Sequence, residues 1–194
     1  MPAFAVTQLF PFPRPAVFAF FRRPANVVAV APPGLRLSLV AGPELLEAGS
    51  RLTVRSRRWG IAADVVTEVV ELVEPERIVE EQVRGPFRRW RHERHFLAAG
   101  EALTELSERI DYEPPGGLLG LTLTPSVIEA ELAEAFAWRQ ARVRSCWAGR
   151  PEQTTSRWAP HRPGLVPAPV SASSAGAIRR RRPARALHPR LSQR

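Results

Sequence analysis

Hydrophobic and polar positions divide the chain into stretches of different period. Residues 3–10, rich in Phe, Val and Leu, predict a first strand stopped by Pro11-Phe12-Pro13. Residues 14–21 predict a short helix with Pro15 in its first turn, where a missing N–H costs nothing. Pro24 opens a second short helix that ends near Val30. From Leu35 the pattern becomes β. Stretches 36–40, 51–59, 62–73, 77–83, 88–97 and 102–113 each favour a strand, and Ala41-Gly42-Pro43, Glu74-Pro75, Gly85-Pro86 and Ala98-Ala99-Gly100 supply turn chemistry between them. Connections this short leave no room for crossover helices, so the six strands predict an antiparallel meander. Beyond Pro114-Pro115-Gly116-Gly117 the period turns helical. Ser126 with Glu129 predicts a capping box, and Ile128, Leu132, Ala135, Phe136 and Val143 form one apolar stripe to about Arg144.

After residue 147 the periodicity stops. Seven of the 20 prolines lie beyond residue 150, with a Ser-rich stretch and four consecutive arginines, which predicts a disordered tail over 148–194 appended to a domain over 1–147. Charge divides at the same place. The net charge is +9, yet residues 1–149 carry 18 Arg against 18 acidic residues, while 150–194 carry 10 Arg against Glu152 alone. The basicity belongs to the tail. Arg179, Arg180, Arg181 and Arg182 could draw in nucleic acid or an anionic surface by salt-dependent attraction. An extension without a selected role accounts for their Arg/Pro/Ala/Ser surroundings equally well. Ordering such a tail would cost about 1–2 kcal/mol per residue in backbone entropy, with no periodic apolar face to offset it. Deleting 150–194 is therefore expected to leave the melting temperature nearly unchanged while abolishing any salt-sensitive nucleic-acid binding. A large drop in melting temperature would contradict this.

Several classes are excluded by what the chain contains. The single cysteine, Cys146, permits neither an internal disulfide framework nor a cysteine-based zinc knuckle. The opening residues lack the basic-then-apolar layout of a secretory signal, and no apolar run reaches the roughly 18 residues of a membrane helix, so a soluble cytoplasmic protein is expected. A Gly-rich phosphate loop and a nucleophile elbow are both missing. His92 and His95 stand three apart on a strand, hence on opposite faces, and cannot readily share a metal ion. Neither cofactor nor metal is expected.

Parity identifies the candidate chemistry. In 88–97 the even positions include Trp90, His92, Arg94 and Phe96, and in 102–113 the even positions Leu106, Ile110 and Tyr112 are apolar. Both even faces should look inward, carrying His92 and Glu108 with them. A hairpin centred on Gly100 pairs residues whose numbers sum to 200, which sets Trp90 opposite Ile110, His92 opposite Glu108 and Phe96 opposite Thr104. Only even sums keep the apolar faces together, and a slip of two leaves His92 and Glu108 diagonal neighbours. The pair is either a satisfied structural contact or a general base with its orienting partner. Arg139, on the helix stripe, either anchors a ligand carboxylate or snorkels to the rim. Glu129, Glu131 and Glu134 read as a solvated helix face.

A family resemblance rests on Phe18-Ala19-Phe20-Phe21, on Gly85-Pro86-Phe87-x-x-Trp90-x-His92-x-x-x-Phe96, on Tyr112-x-x-Pro115-x-Gly117-x-x-Gly120 and on Phe136-x-Trp138-Arg139. With the element order, these make residues 1–147 resemble the START-like (SRPBCC, polyketide cyclase/dehydrase-like) superfamily, in particular an uncharacterised bacterial branch of ligand-binding proteins. The sequence departs from that branch at Val65 and Arg94, where an aromatic and a second histidine are common. The resemblance implies an α+β helix-grip fold: a curved antiparallel sheet wrapped around a long C-terminal helix, with two short helices after the first strand. It also implies a cavity for a small hydrophobic ligand between sheet and helix. The expected wall is Trp59, Trp90, His92, Phe96, Glu108, Ile110 and Tyr112 from the sheet, with Leu132, Phe136 and Arg139 from the helix. Trp90, Phe96 and Tyr112 serve either as core or as ligand contacts. Binding without chemistry is the first expectation. A cyclase or aromatase using His92 and Glu108 is the alternative.

Overall fold

Alternation along the middle of the chain becomes a single sheet. The computed structural model describes residues 1–58 and 61–148, which fall within one compact unit. Trp59 and the expectations for the tail, its four-arginine run included, lie outside the described residues. The strands are β1 (Ala3–Phe10), β2 (Ser38–Ala41), β3 (Arg51–Arg58), β4 (Ile61–Val73), β5 (Arg77–Arg84), β6 (Arg89–Gly100) and β7 (Leu103–Glu113). They form a seven-stranded sheet in the order β1-β7-β6-β5-β4-β3-β2, with every neighbouring pair antiparallel. Consecutive strands neighbour each other from β2 to β7, and β1 joins the end of the meander through β7.

Two-residue periodicity sets the faces. In β3, Leu52, Val54 and Ser56 turn one way, while Arg51 pairs with Glu68 at 2.6 Å and Arg55 with Asp64 at 2.6 and 2.9 Å on the other. Such cross-strand ion pairs absorb much of the balanced charge of this part of the chain, and in water they contribute little to stability. Register shifts between β2 and β3, β4 and β5, and β6 and β7 mark bulges, which bend and twist a sheet locally.

The hairpin of β6 and β7 corrects one expectation. Its turn is Glu101-Ala102, with Gly100 opposite Leu103, and Ala98-Ala99-Gly100 belongs to the strand. That turn alone would give an odd sum and put the apolar faces of the two strands on opposite sides. An extra residue in β6, between Ala98 and Gly100, restores even parity, so partners from Ala98 inward sum to 202 rather than 200. Trp90 therefore faces Tyr112, His92 faces Ile110, Arg94 faces Glu108 and Phe96 faces Leu106. His92 and Glu108 are diagonal neighbours.

Helices close the concave side. α1 (Arg14–Phe21) and α2 (Pro24–Ala29) both carry proline in their first turn, where its missing N–H is harmless. A further helix, α3 (Gly117–Thr122), fills most of the stretch between Pro114-Pro115-Gly116-Gly117 and Ser126, for which the sequence predicts no separate element. Six residues are fewer than two helical turns, too few for a 3.6-residue period to register. α4 (Pro125–Ala148) starts earlier than the Ser126 cap predicts. Thr124 caps it, its Oγ1 accepting the Val127 N–H at 3.4 Å, and Pro125 takes the first helical position.

Two apolar clusters result. Phe10, Phe18, Phe21, Phe96, Leu106 and Val143 are among the fully buried residues of the first, with Phe18 and Phe96 rings 5.2 Å apart. Ile110, Tyr112, Ile128 and Phe136 form the second, joined by Phe87, Trp90 and Leu132.

Candidate functional site

The inward positions of β3 to β6 and the N-terminal half of α4 do not meet. Between them lies a cavity of about 420 Å³. Val54 and Ser56 of β3, Ala63 and Val65 of β4, Gln82 of β5 and Trp90 of β6 form the sheet side. Ile128, Glu131, Leu132 and Ala135 form the helix side, and Leu35, Leu37, Pro86, Phe87 and Leu123 come from the connecting segments. Three of these residues are polar, and two have hydrogen bonds to the chain itself: Ser56 Oγ donates to the Leu35 carbonyl at 3.1 Å and Gln82 Nε2 to the Phe87 carbonyl at 2.7 Å. The wall offered to a ligand is therefore overwhelmingly apolar.

A smaller lobe of about 170 Å³ adjoins it, since Leu37, Val54, Val65 and Trp90 line both. Its character differs, because Thr67, Glu80, His92 and Arg94 contribute to its wall. Thr67 continues the inward series Ala63, Val65, Thr67 along β4. Its hydroxyl oxygen is buried and has no hydrogen-bond partner.

Behind this lobe sits a buried ionic cluster built from β5, β6, β7 and α4. Glu108 Oε2 meets His92 Nε2 at 2.9 Å and lies 3.4 Å from Arg94 Nε, while Glu108 Oε1 accepts from Arg139 Nη2. Arg94 Nη1 donates to Glu80, and Arg94 Nη2 donates to His92 Nδ1 at 3.1 Å. The last contact decides the tautomer: a guanidinium only donates, so Nδ1 holds the lone pair and Nε2 carries the hydrogen given to Glu108. Arg139 stacks over the rings of Phe136 at 4.2 Å and Phe21 at 5.2 Å, bridging the two apolar clusters.

Electrostatics agree with that tautomer. Burial and the Arg94 charge hold the His92 pKa below its ordinary 6.5 despite Glu108, so the imidazole is neutral at neutral pH. For Glu108, burial opposes ionisation, but Arg139, His92 and Arg94 outweigh it and hold the carboxyl down to about 2. Glu80 is likewise held down, burial being overcome by Arg94. Two carboxylates and two guanidiniums then balance to zero net charge around a neutral histidine. This is poor general-base chemistry. The basic nitrogen of His92 faces a cation, and Glu108 is fully buried with both oxygens engaged.

Of the residues expected on the wall, Trp90 and Leu132 line the larger lobe and Trp90 and His92 the smaller. Phe96 packs in the first apolar cluster, and Ile110, Tyr112 and Phe136 in the second. Glu108 and Arg139 pair with each other; Arg139 neither snorkels nor stands open to a ligand, since its side chain is 9% exposed. Glu131 is a correction to the solvated helix face: it is half-buried against the cavity, whereas Glu129 and Glu134 are exposed. His92 points inward to Glu108 while His95 stands outward near Glu93, the separation their spacing requires. Among the described residues no group of three potential metal ligands is present. Sequence reasoning missed Val54, Ser56, Ala63, Thr67 and Glu80. The signal was there in the alternation of β3 and β4, with Leu52 and Val54 set against Arg51, Arg55 and Arg57.

No protein-family model and no curated protein matches the chain. Solved structures do. TTHA0849 from Thermus thermophilus superposes with a TM-score of 0.56 at 19% identity, over 75% of this chain and 99% of its own. A START superfamily protein from Mycobacterium smegmatis gives 0.59 at 14% identity, over 74% and 98%. Major latex-like protein 151 from Panax ginseng gives 0.53 at 18% identity, over 73% and 96%. The chain has the helix-grip fold of START-like proteins.

Proposed function

We propose that the protein binds a small hydrophobic molecule in the cavity between the sheet and the N-terminal half of α4, and holds it without chemical change. One observation carries this reading: about 420 Å³ of space lined by twelve apolar residues out of fifteen. That volume falls within the roughly 300–1,000 Å³ usual for small-molecule sites, whose walls are mostly apolar with a few placed polar groups. The engaged lone pair of His92 supports binding over catalysis. No membrane attachment is needed by this function, and among the described residues no helix is long and apolar enough to cross a membrane.

Filling the space tests the reading. Ala63→Trp and Val65→Trp each add a large ring at an inward position of β4. Titration with an apolar fluorescent probe should show at least tenfold weaker binding in both, with the fold retained by circular dichroism. Probe affinity unchanged in both folded variants would reject the cavity as the binding site.

A further inference from the structure

We propose that the cavity selects molecules whose polar end is uncharged, a hydroxyl or a carbonyl on an apolar body, seated in the smaller lobe against Thr67. This rests on the cavity being the ligand site and specifies what it accepts. The larger lobe takes the apolar body, because Ser56 and Gln82 already have backbone partners and Glu131, its third polar residue, is itself engaged. Polar recognition falls to the smaller lobe, which adjoins it past Val65 and Trp90.

The groups lining that lobe are not equally available. His92 has both ring nitrogens engaged, by Arg94 and Glu108, and Arg94 is shared among Glu80, Glu108 and His92. Thr67 Oγ1 differs. It is buried without a hydrogen-bond partner and can both donate and accept, whereas Arg94 Nε, which also lacks a hydrogen bond, only donates and already lies 3.4 Å from Glu108 Oε2. A ligand hydroxyl or carbonyl oxygen would remove the cost of that unsatisfied group.

A charged end meets a different situation. Glu80 and Glu108 balance Arg94 and Arg139, and His92 is neutral, so the cluster has no spare charge of either sign. An incoming carboxylate would lose its hydration beside Glu80, whose counter-charge Arg94 is already committed. An ammonium would find Glu80 committed to the same Arg94. Burying an ion without a free counter-ion is strongly unfavourable, whereas a hydroxyl that gains a partner is not.

The test is displacement of the apolar probe from the full chain at pH 7.5 by dodecanol, dodecanoate and dodecylamine, which share one apolar body. Dodecanol is expected to displace the probe at a concentration at least tenfold below either charged analogue. Thr67→Val, which keeps the shape and removes the hydroxyl, should cut that preference to threefold or less. Dodecanoate or dodecylamine matching dodecanol in the wild type would overturn the inference, and so would an undiminished preference in Thr67→Val. The two readings fail separately. A probe site that Ala63→Trp does not weaken counts against the cavity itself, while a probe site sensitive to Ala63→Trp but indifferent to the three head groups counts against the neutral-end selection alone.

Discussion

Replacing Glu108 with glutamine is expected to cost about 3–5 kcal/mol of folding stability, the penalty typical of removing one partner from a buried ion pair. Glu108 accepts from Arg139 and His92 and lies 3.4 Å from Arg94 Nε, and its side chain is 0% exposed. Glutamine leaves Arg139 and Arg94 with Glu80 as the sole carboxylate of the cluster, a buried excess of one positive charge. The glutamine amide group would also point an N–H at either the Arg139 or the His92 hydrogen. Removing both partners should be milder. Glu108→Leu combined with Arg139→Met leaves Arg94 balanced by Glu80 and places apolar atoms beside Phe136 and Phe21, where the Arg139 guanidinium now stacks. Urea denaturation of the wild type, the single variant and the double variant at pH 7.5 reads this directly. If Glu108→Gln lies within 1 kcal/mol of wild type, or the double variant is the less stable of the two, the charge-balance account of the cluster is wrong.

Acid should unfold the protein in two stages, both through the same cluster. His92 is neutral in the fold with its pKa held below 6.5, so as the pH falls below 6.5 the unfolded chain takes up that proton first and stability begins to decline. Glu108 ionises near 2 in the fold against an ordinary 4.5. Its contribution is complete above pH 4.5 and is lost as the pH falls from there towards 2, amounting to about 3 kcal/mol at 1.36 kcal/mol per unit. Glu80, also held below its ordinary value, acts in the same direction. Stability from urea titrations should therefore fall modestly between pH 7 and 5 and more steeply between pH 4.5 and 2.5. A flat profile down to pH 3 would show that the cluster does not hold its charges as the geometry requires.

Local features of this fold were legible in residue order. The first strand and α1 occupy the residues that their apolar content and prolines indicate, and the stripe Ile128, Phe136, Val143 is the buried face of α4. These follow from periods of two and 3.6 residues and from proline stereochemistry, which act over a few neighbouring residues. Parity was legible too, so the inward direction of His92 and Glu108 and their approach follow from residue order alone.

Register was not. The sum of 202 depends on a two-residue turn and a compensating bulge at Ala99, and either alone would have inverted a face. A sequence shows that the apolar faces must agree, but it does not show which strand bulges to make them agree. The same limit applies to the site. Arg139 lies 31 residues beyond Glu108, and Glu80 lies 14 before Arg94, so their charges meet only through the sheet order and the path of α4. Alternation by itself determined which side chains of β3, β4 and β6 face inward. Whether an inward side chain ends in the core, as Phe96 does, or beside open space, as Val65 and Thr67 do, was decided by tertiary structure. That choice depends on how far α4 stands from each strand, a distance set jointly by all the side chains packed between them.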